Sequence, residues 1–343
     1  MSKVTMMPSR ARTDGNQRGL VAAPCHPQAQ AGPLISTSEA GKAARKPWVD
    51  GPWPLIETPS NTQSVTHPSL HIANEIAHIH NAMLRGLNAV YLQAPHVRQP
   101  ADIADLMFLA LAWSAWVLDH HTLKQTAMLP AFESVLGLQP GSLGSGSVSS
   151  SFYKAPEDEG REEGGDDDEL ATALQHVHAY AATAHADPAT YDPVALRALL
   201  ARLGDLLAPH LSRQVGVLAG TRELCSSSSS SSSPYSSSPF SPSSSSSSFS
   251  SSATATANAN ALLRAYAACA ARAADALDRP AAAPMIVGLR DATYEAGRGR
   301  DWPRLSVPAA HAVADRLAPR HAGAWRFLPC DVWGRPRELG FLG

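Results

Sequence analysis

The strongest constraint in this chain is the stretch His71 to Leu92, HIANEIAHIHNAMLRGLNAVYL, in which apolar residues recur at helical spacing around a histidine. Ala73, Ile76, Ala77, His80, Met83, Leu84, Leu87, Val90 and Tyr91 fall three and four apart, so they share one face of a helix and must be covered by other elements. A histidine inside that stripe has two readings. Either it is a ligand aimed into the middle of a helix bundle, or it is a core histidine whose ring nitrogens find backbone or side-chain partners.

Three more stretches repeat the pattern. Residues 100–136 form the second helix, and its middle, LMFLALAWSAWVLDHHTLK, is apolar almost all round, so it should be the most buried. It carries His120 and His121. A weaker, alanine-rich third helix is expected near 168–186, with His176, His178 and His185. The fourth, near 192–221, places Leu196, Leu199, Leu200, Leu203, Leu206, Leu207, His210, Gln214, Val217 and Leu218 inside. Pro209 lies within it and removes one backbone donor, which predicts a kink just before His210. Ser69 is the expected N-cap of the first helix, which stops near Pro95.

The remaining segments define the organisation. Residues 1–46 are polar and aperiodic and are expected to be a disordered tail; residues 47–222 hold the helical bundle. Pro47 to Ile56 puts two tryptophans among three prolines, an extended strap able to lay aromatic area across a helix. A Gly/Ser and acidic insert spans about 137–166. Its acidic run, Glu157 to Glu169, lacks the ligand order of a calcium loop and reads as solvated, with Asp166 to Glu169 favouring the positive end of the third helix. Residues 223–254 are a serine-rich linker, and 255–343 hold a further helix and an aromatic, arginine-bearing cap.

Composition excludes several partners. A net charge of -2 across 343 residues leaves no basic field for nucleic acid or an anionic membrane surface. No uninterrupted apolar run reaches the roughly 18 residues of a spanning helix, and the N-terminal residues lack an apolar signal core. Cys25, Cys225, Cys269 and Cys330 are far apart with no C-x-x-C pair, which argues against a zinc knuckle or a disulfide framework. A cytoplasmic location is expected, with a mitochondrial one open through Arg10, Arg12 and Arg18.

Histidine thus reaches the inner face of every principal helix, which is how bundles build metal sites. With the strap WVDGPWPLIETPS, the run HNAMLRGLNAVYLQAPHV, the HH-x8-P pattern from His120 to Pro130, Thr190-Tyr191-Asp192, His210-Leu211 and RHAGAWRFLPCDVWGRPR, the chain resembles the hemerythrin-like (HHE cation-binding) family in its long fungal form. The resemblance covers roughly residues 47–222 and 256–343. It implies an all-α, up-down-up-down four-helix bundle with an extra C-terminal helix and an irregular cap.

It also implies a di-iron centre with histidines from all four helices and bridging carboxylates from H-x-x-x-E motifs. Carried over, His80, His120, His121 and His210 remain as metal-ligand candidates, and His176 is the candidate on helix three in one register; the other register places Asp167 and Ala171 there. The carboxylates are replaced, by Lys124, Gln125 and Gln214. Two ferrous ions bring four positive charges into a dry interior, and neutral imidazoles and amides do not offset them. The expectation is therefore a non-enzymatic structural or binding protein with no cofactor, working with a protein or small-molecule partner. The alternative is iron, oxygen or nitric oxide handling through a residual His-rich site.

Overall fold

The computed structural model describes residues 50–144, 165–227 and 247–342, all within one unit spanning residues 46–343. The fold is all-α. A short helix α1 (Pro59–Thr62) precedes α2 (Pro68–Gln93), α3 (Pro100–Leu123), a π-helical turn (Lys124–Met128) and α4 (Leu129–Leu136). Then follow α5 (Gly165–Ala186), α6 (Pro193–Ser227), α7 (Ser247–Ala276), α8 (Arg279–Gly288) and α9 (Val307–Ala312). Among the described residues the only β pairing is an isolated antiparallel bridge between Cys330 and Pro336.

The packing follows the apolar stripes. α2 lies along α6 and α3 along α5, and α5 closes against α6, so the faces read from the sequence meet in one core. Ile76, Met83, Leu84, Leu87, Leu106, Met107, Leu109 and Trp113 are buried there. Trp113 donates its indole N–H to the Met83 carbonyl at 3.0 Å, and its ring lies where a Cβ on Gly86 would stand. That glycine lets α2 and α3 approach closely. The segment Pro100–Leu136 contains an 18-residue window of mean hydropathy 1.6, long and apolar enough to cross a membrane, against the expectation from uninterrupted runs. Half of that window is buried inside the fold, as a core helix requires.

The strap is fastened by two asparagines. Asn81 gives its carbonyl oxygen to the Ile56 N–H and its amide to the Ile56 carbonyl, both at 2.7 Å. Asn88 does the same for Trp53, at 3.2 and 2.9 Å. Seven residues of helix advance about 10.5 Å, and three residues of extended chain advance about 10 Å. The two spacings agree, so α2 presents side-chain amides in register with a strand-like strap. The Trp53 indole N–H reaches Asp205 at 3.2 Å, and its ring fills the space left by Gly204, so the strap ties α2 to α6.

Several boundaries differ from the sequence reading. Pro68 opens α2, and the cap is His67, whose ring nitrogen accepts the Ser69 N–H at 3.2 Å. Proline at the first helical position needs no partner for a missing donor, which moves the start ahead of Ser69. α6 passes through Pro209 and extends to Ser227, and α7 begins at Ser247. The expected tail 1–46, most of the acidic insert and the middle of the serine tract lie outside the described residues. After α8 the chain runs through α9 and a series of short helical turns. Gln93 donates to the Phe327 carbonyl at 2.9 Å, Arg326 pairs with Asp102 at 2.7 Å and Asp105 at 2.9 Å, and the Thr58 N–H at the end of the strap donates to the Glu295 carboxylate at 2.8 Å.

Substituting Asn81→Ala leaves the Ile56 N–H without a partner under a buried strap and the Ile56 carbonyl with the Tyr294 hydroxyl, 3.1 Å away, as its remaining donor. At roughly 1–3 kcal/mol per stranded group, the loss is about 1–3 kcal/mol. Chemical denaturation should show that shift for Asn81→Ala and Asn88→Ala alike; a change below ~0.5 kcal/mol in either would show that the strap is not held by these amides.

Candidate functional site

The centre of the bundle is polar. His120 and His121 occupy the last turn of α3, and the following turn widens: the Leu129 N–H bonds to the Lys124 carbonyl, five residues back. Pro130, just beyond, cannot supply the donor that a regular helix would use there. Lys124 turns inward and is only 2% exposed. α2 contributes His80, which is fully buried, and α6 contributes His210 and Gln214.

The hydrogen bonds fix the tautomers. His80 Nδ1 is 2.9 Å from the Leu211 carbonyl, which can only accept, so Nδ1 carries the proton and Nε2 presents a lone pair. That lone pair lies 3.3 Å from His120 Nε2, which donates to it. His210 Nδ1 faces the Asp167 carboxylate at 3.3 Å, so its Nε2 lone pair points into the centre, where Lys124 Nζ stands 3.0 Å away and the Gln214 amide is also in contact. Asp167 in turn accepts the Gln125 amide. His121 packs beside His210 with ring centroids 5.3 Å apart, and its Nδ1 has no hydrogen-bond partner in the protein. The Gln214 Oε1 is likewise buried and unpartnered.

Burial governs the protonation of this group. Desolvation, followed by His120 and Lys124, holds His80 well below the usual imidazole range against the pull of the Leu211 carbonyl. Desolvation and Lys124 push His120 down to about 3 and His121 to about 4, and His210 also falls well below its ordinary value. Lys124 is lowered to about 7 by desolvation, while the Asp167 carboxylate opposes the fall.

The structure places His80, His120, His121 and His210 near one another with Lys124, Gln125 and Gln214. His176 is not among them and is exposed on α5; the adjacent His178 bonds Ser114 at 3.1 Å, away from the centre. The residue α5 supplies is Asp167, two residues from the helix start, in the register that lines up Asp167 with Ala171. In the sequence it reads both as one of four acids favouring a helix N-terminus and, in the alternative register, as the helix-three position paired with Ala171. Its partner residues His121 and His210 complete a set whose ligand atoms all lie within 4.8 Å of one another, two imidazoles and a carboxylate.

A lysine of lowered pKa binds fewer protons folded than unfolded between about pH 7 and its ordinary value near 10.5, so stability rises with pH across that window. The histidines follow the same sign lower down. Their folded values of about 3 to 4 for His120 and His121 mean stability is lost as pH falls from about 6.5. Urea unfolding between pH 4 and 10 should thus show stability climbing throughout. Lys124→Met should flatten the part above pH 7 and leave the acid part in place; an unchanged slope above pH 7 would place the ammonium in solvent.

No family model and no solved structure matches the chain. It is similar to the dimeric xanthone biosynthesis cluster protein R11 of Cryptosporiopsis sp. (strain 8999), with 25% identity over 300 residues, covering 87% of this chain and 94% of that protein.

Proposed function

We propose that this chain is a hemerythrin-like protein, an up-down-up-down bundle of α2, the α3–α4 segment, α5 and α6, that has given up two-iron chemistry and acts as a structural or binding protein. The observation that carries this is Lys124 Nζ, buried and 3.0 Å from His210 Nε2. A cation of the protein's own stands against the nitrogen a metal would need, and Asp167 supplies the matching negative charge. One carboxylate, two neutral amides and an amine do not fit a centre that must offset four positive charges in a dry interior.

The biosynthetic setting named for the relative is the setting proposed here: a bundle acting beside the enzymes of a specialised pathway, in the cytoplasm, on a small-molecule or protein partner. His121, Asp167 and His210 favour a second reading, in which a single divalent transition ion is held by two imidazoles and a carboxylate. For that ion, Lys124 is a competitor at His210, and the other imidazole nitrogens stand behind it.

Elemental analysis of the purified chain separates these readings. The expected result is far fewer than two irons per chain, with iron rising stepwise in Lys124→Glu and then Lys124→Glu with Gln214→Glu, since each change replaces a cation or amide by an anion facing histidines already in place. Two irons in the unaltered protein would overturn the proposal. One ion per chain, lost in Asp167→Asn, would select the single-metal reading.

A further inference from the structure

We infer that Lys124 is a reversible carbon dioxide site: its amine forms a carbamate, and that new carboxylate, with Asp167, admits one divalent metal ion between His121 and His210. This rests on the reading above, in which the encoded side chains alone do not retain metal.

The first support is space and access. Beside Lys124, His210 and Gln214 there is a partly enclosed cavity of about 20 Å³, walled by Leu143, Val217 and Leu218 and bordered by Arg213. A void of that size holds about one water-sized molecule. Carbon dioxide is small, linear and uncharged, so it crosses a narrow apolar wall without the desolvation that an acid or a phosphate would suffer.

The second support is hydrogen bonding. A carbamate keeps one N–H and adds two acceptor oxygens. Gln214 Oε1 is a buried acceptor without a donor, and His121 Nδ1 is a buried ring nitrogen without a partner. The carbamate N–H suits the first, and a carbamate oxygen suits the second when that nitrogen carries the proton. Buried polar groups left without partners in this way call for a specific explanation.

The third is charge. With Lys124 as an ammonium and Asp167 as a carboxylate, the centre sums to zero. With a carbamate, Asp167 and one divalent ion, it sums to zero again. The intermediate arrangements, a carbamate without the ion or the ion without the carbamate, leave a net buried charge, so the two ligands enter together. The step balances without an oxidant or reductant. The nitrogen lone pair of the neutral amine attacks the carbon, one C=O electron pair moves to oxygen, and the proton released from nitrogen leaves through the adjacent His210 Nε2 to solvent. The net change is R–NH2 + CO2 giving R–NH–COO− and H+.

The test uses the full chain with ¹³C-bicarbonate and cobalt(II) or zinc(II). Carbon NMR on the zinc-loaded sample, and mass spectrometry after alkylative trapping, should show one labelled carbamate, assigned to Lys124 and missing in Lys124→Met. Cobalt affinity, read by its visible spectrum, should rise about ten-fold or more with bicarbonate in the unaltered chain. It should not respond in Lys124→Met, and Lys124→Glu should bind cobalt with or without bicarbonate. Absence of the label in the unaltered protein with saturating bicarbonate and zinc overturns the inference and leaves the metal-free reading standing. Tight metal binding in carbon dioxide-free buffer, with no response to bicarbonate, overturns that reading as well. The label in the unaltered chain is read without any variant, so a variant that fails to fold does not remove the test.

Discussion

A polar centre inside an apolar bundle has to be close to electrically neutral, and the arrangement around Lys124 and Asp167 follows from that requirement. A lone ammonium in such a place is strongly unfavourable, and so is a lone carboxylate. Here Lys124, in the π turn after α3, and Asp167, on α5, carry the opposite charges, and the imidazoles between them are held uncharged by burial. Removing either charged partner leaves the other uncompensated. α3, which leads into that turn, packs closely along α5, so packing and charge balance act on neighbouring parts of the chain.

The strap has a related role. Asn88 and Asp205 hold Trp53 between α2 and α6, and Asn81 holds Ile56 one strap turn further along. His80 and His210 lie next to these anchors, at Asn81 on one helix and five residues past Asp205 on the other. The His80 bond to the Leu211 carbonyl therefore depends on a spacing between α2 and α6 that the strap helps to set. Tyr91 adds an edge-on contact to Trp53, with ring centroids 5.0 Å apart, on the same side.

Much of this was legible in the sequence because helical periodicity reports which face is buried. The stripe through His80 and the leucine face of 193–221 lie where their spacing put them, whereas the near-continuous apolar run of 100–136, expected to be the most buried helix, is less completely buried than α2. What periodicity does not report is which polar residue on a weakly patterned helix turns inward. His176 looked like the ligand of helix three because of its residue type. Yet the inner positions of α5 are Leu170, Ala173, Leu174, Val177 and Ala181, and one turn before the first of them lies Asp167. The inward turn of Lys124 was equally hidden, because it depends on a wide π turn ahead of Pro130. The pairing of Asn81 and Asn88 with the strap depends on two unrelated spacings agreeing, which neither segment shows alone.

The two glutamines complete the argument. Gln125 donates to Asp167, and Gln214 donates to His210 Nε2, where Lys124 also donates. His210 itself donates from Nδ1 to Asp167. The acceptors of the centre, a carboxylate and an imidazole lone pair, are thus each met by N–H groups. A glutamate at either glutamine position would bring an acceptor to an acceptor and a second negative charge beside the first, unless a metal ion stood between them. Glutamine keeps the shape and reverses the hydrogen-bonding role. The residues at 124, 125 and 214 are therefore coupled: each fits the other two in a centre without iron, and none of the three is a neutral change made by itself.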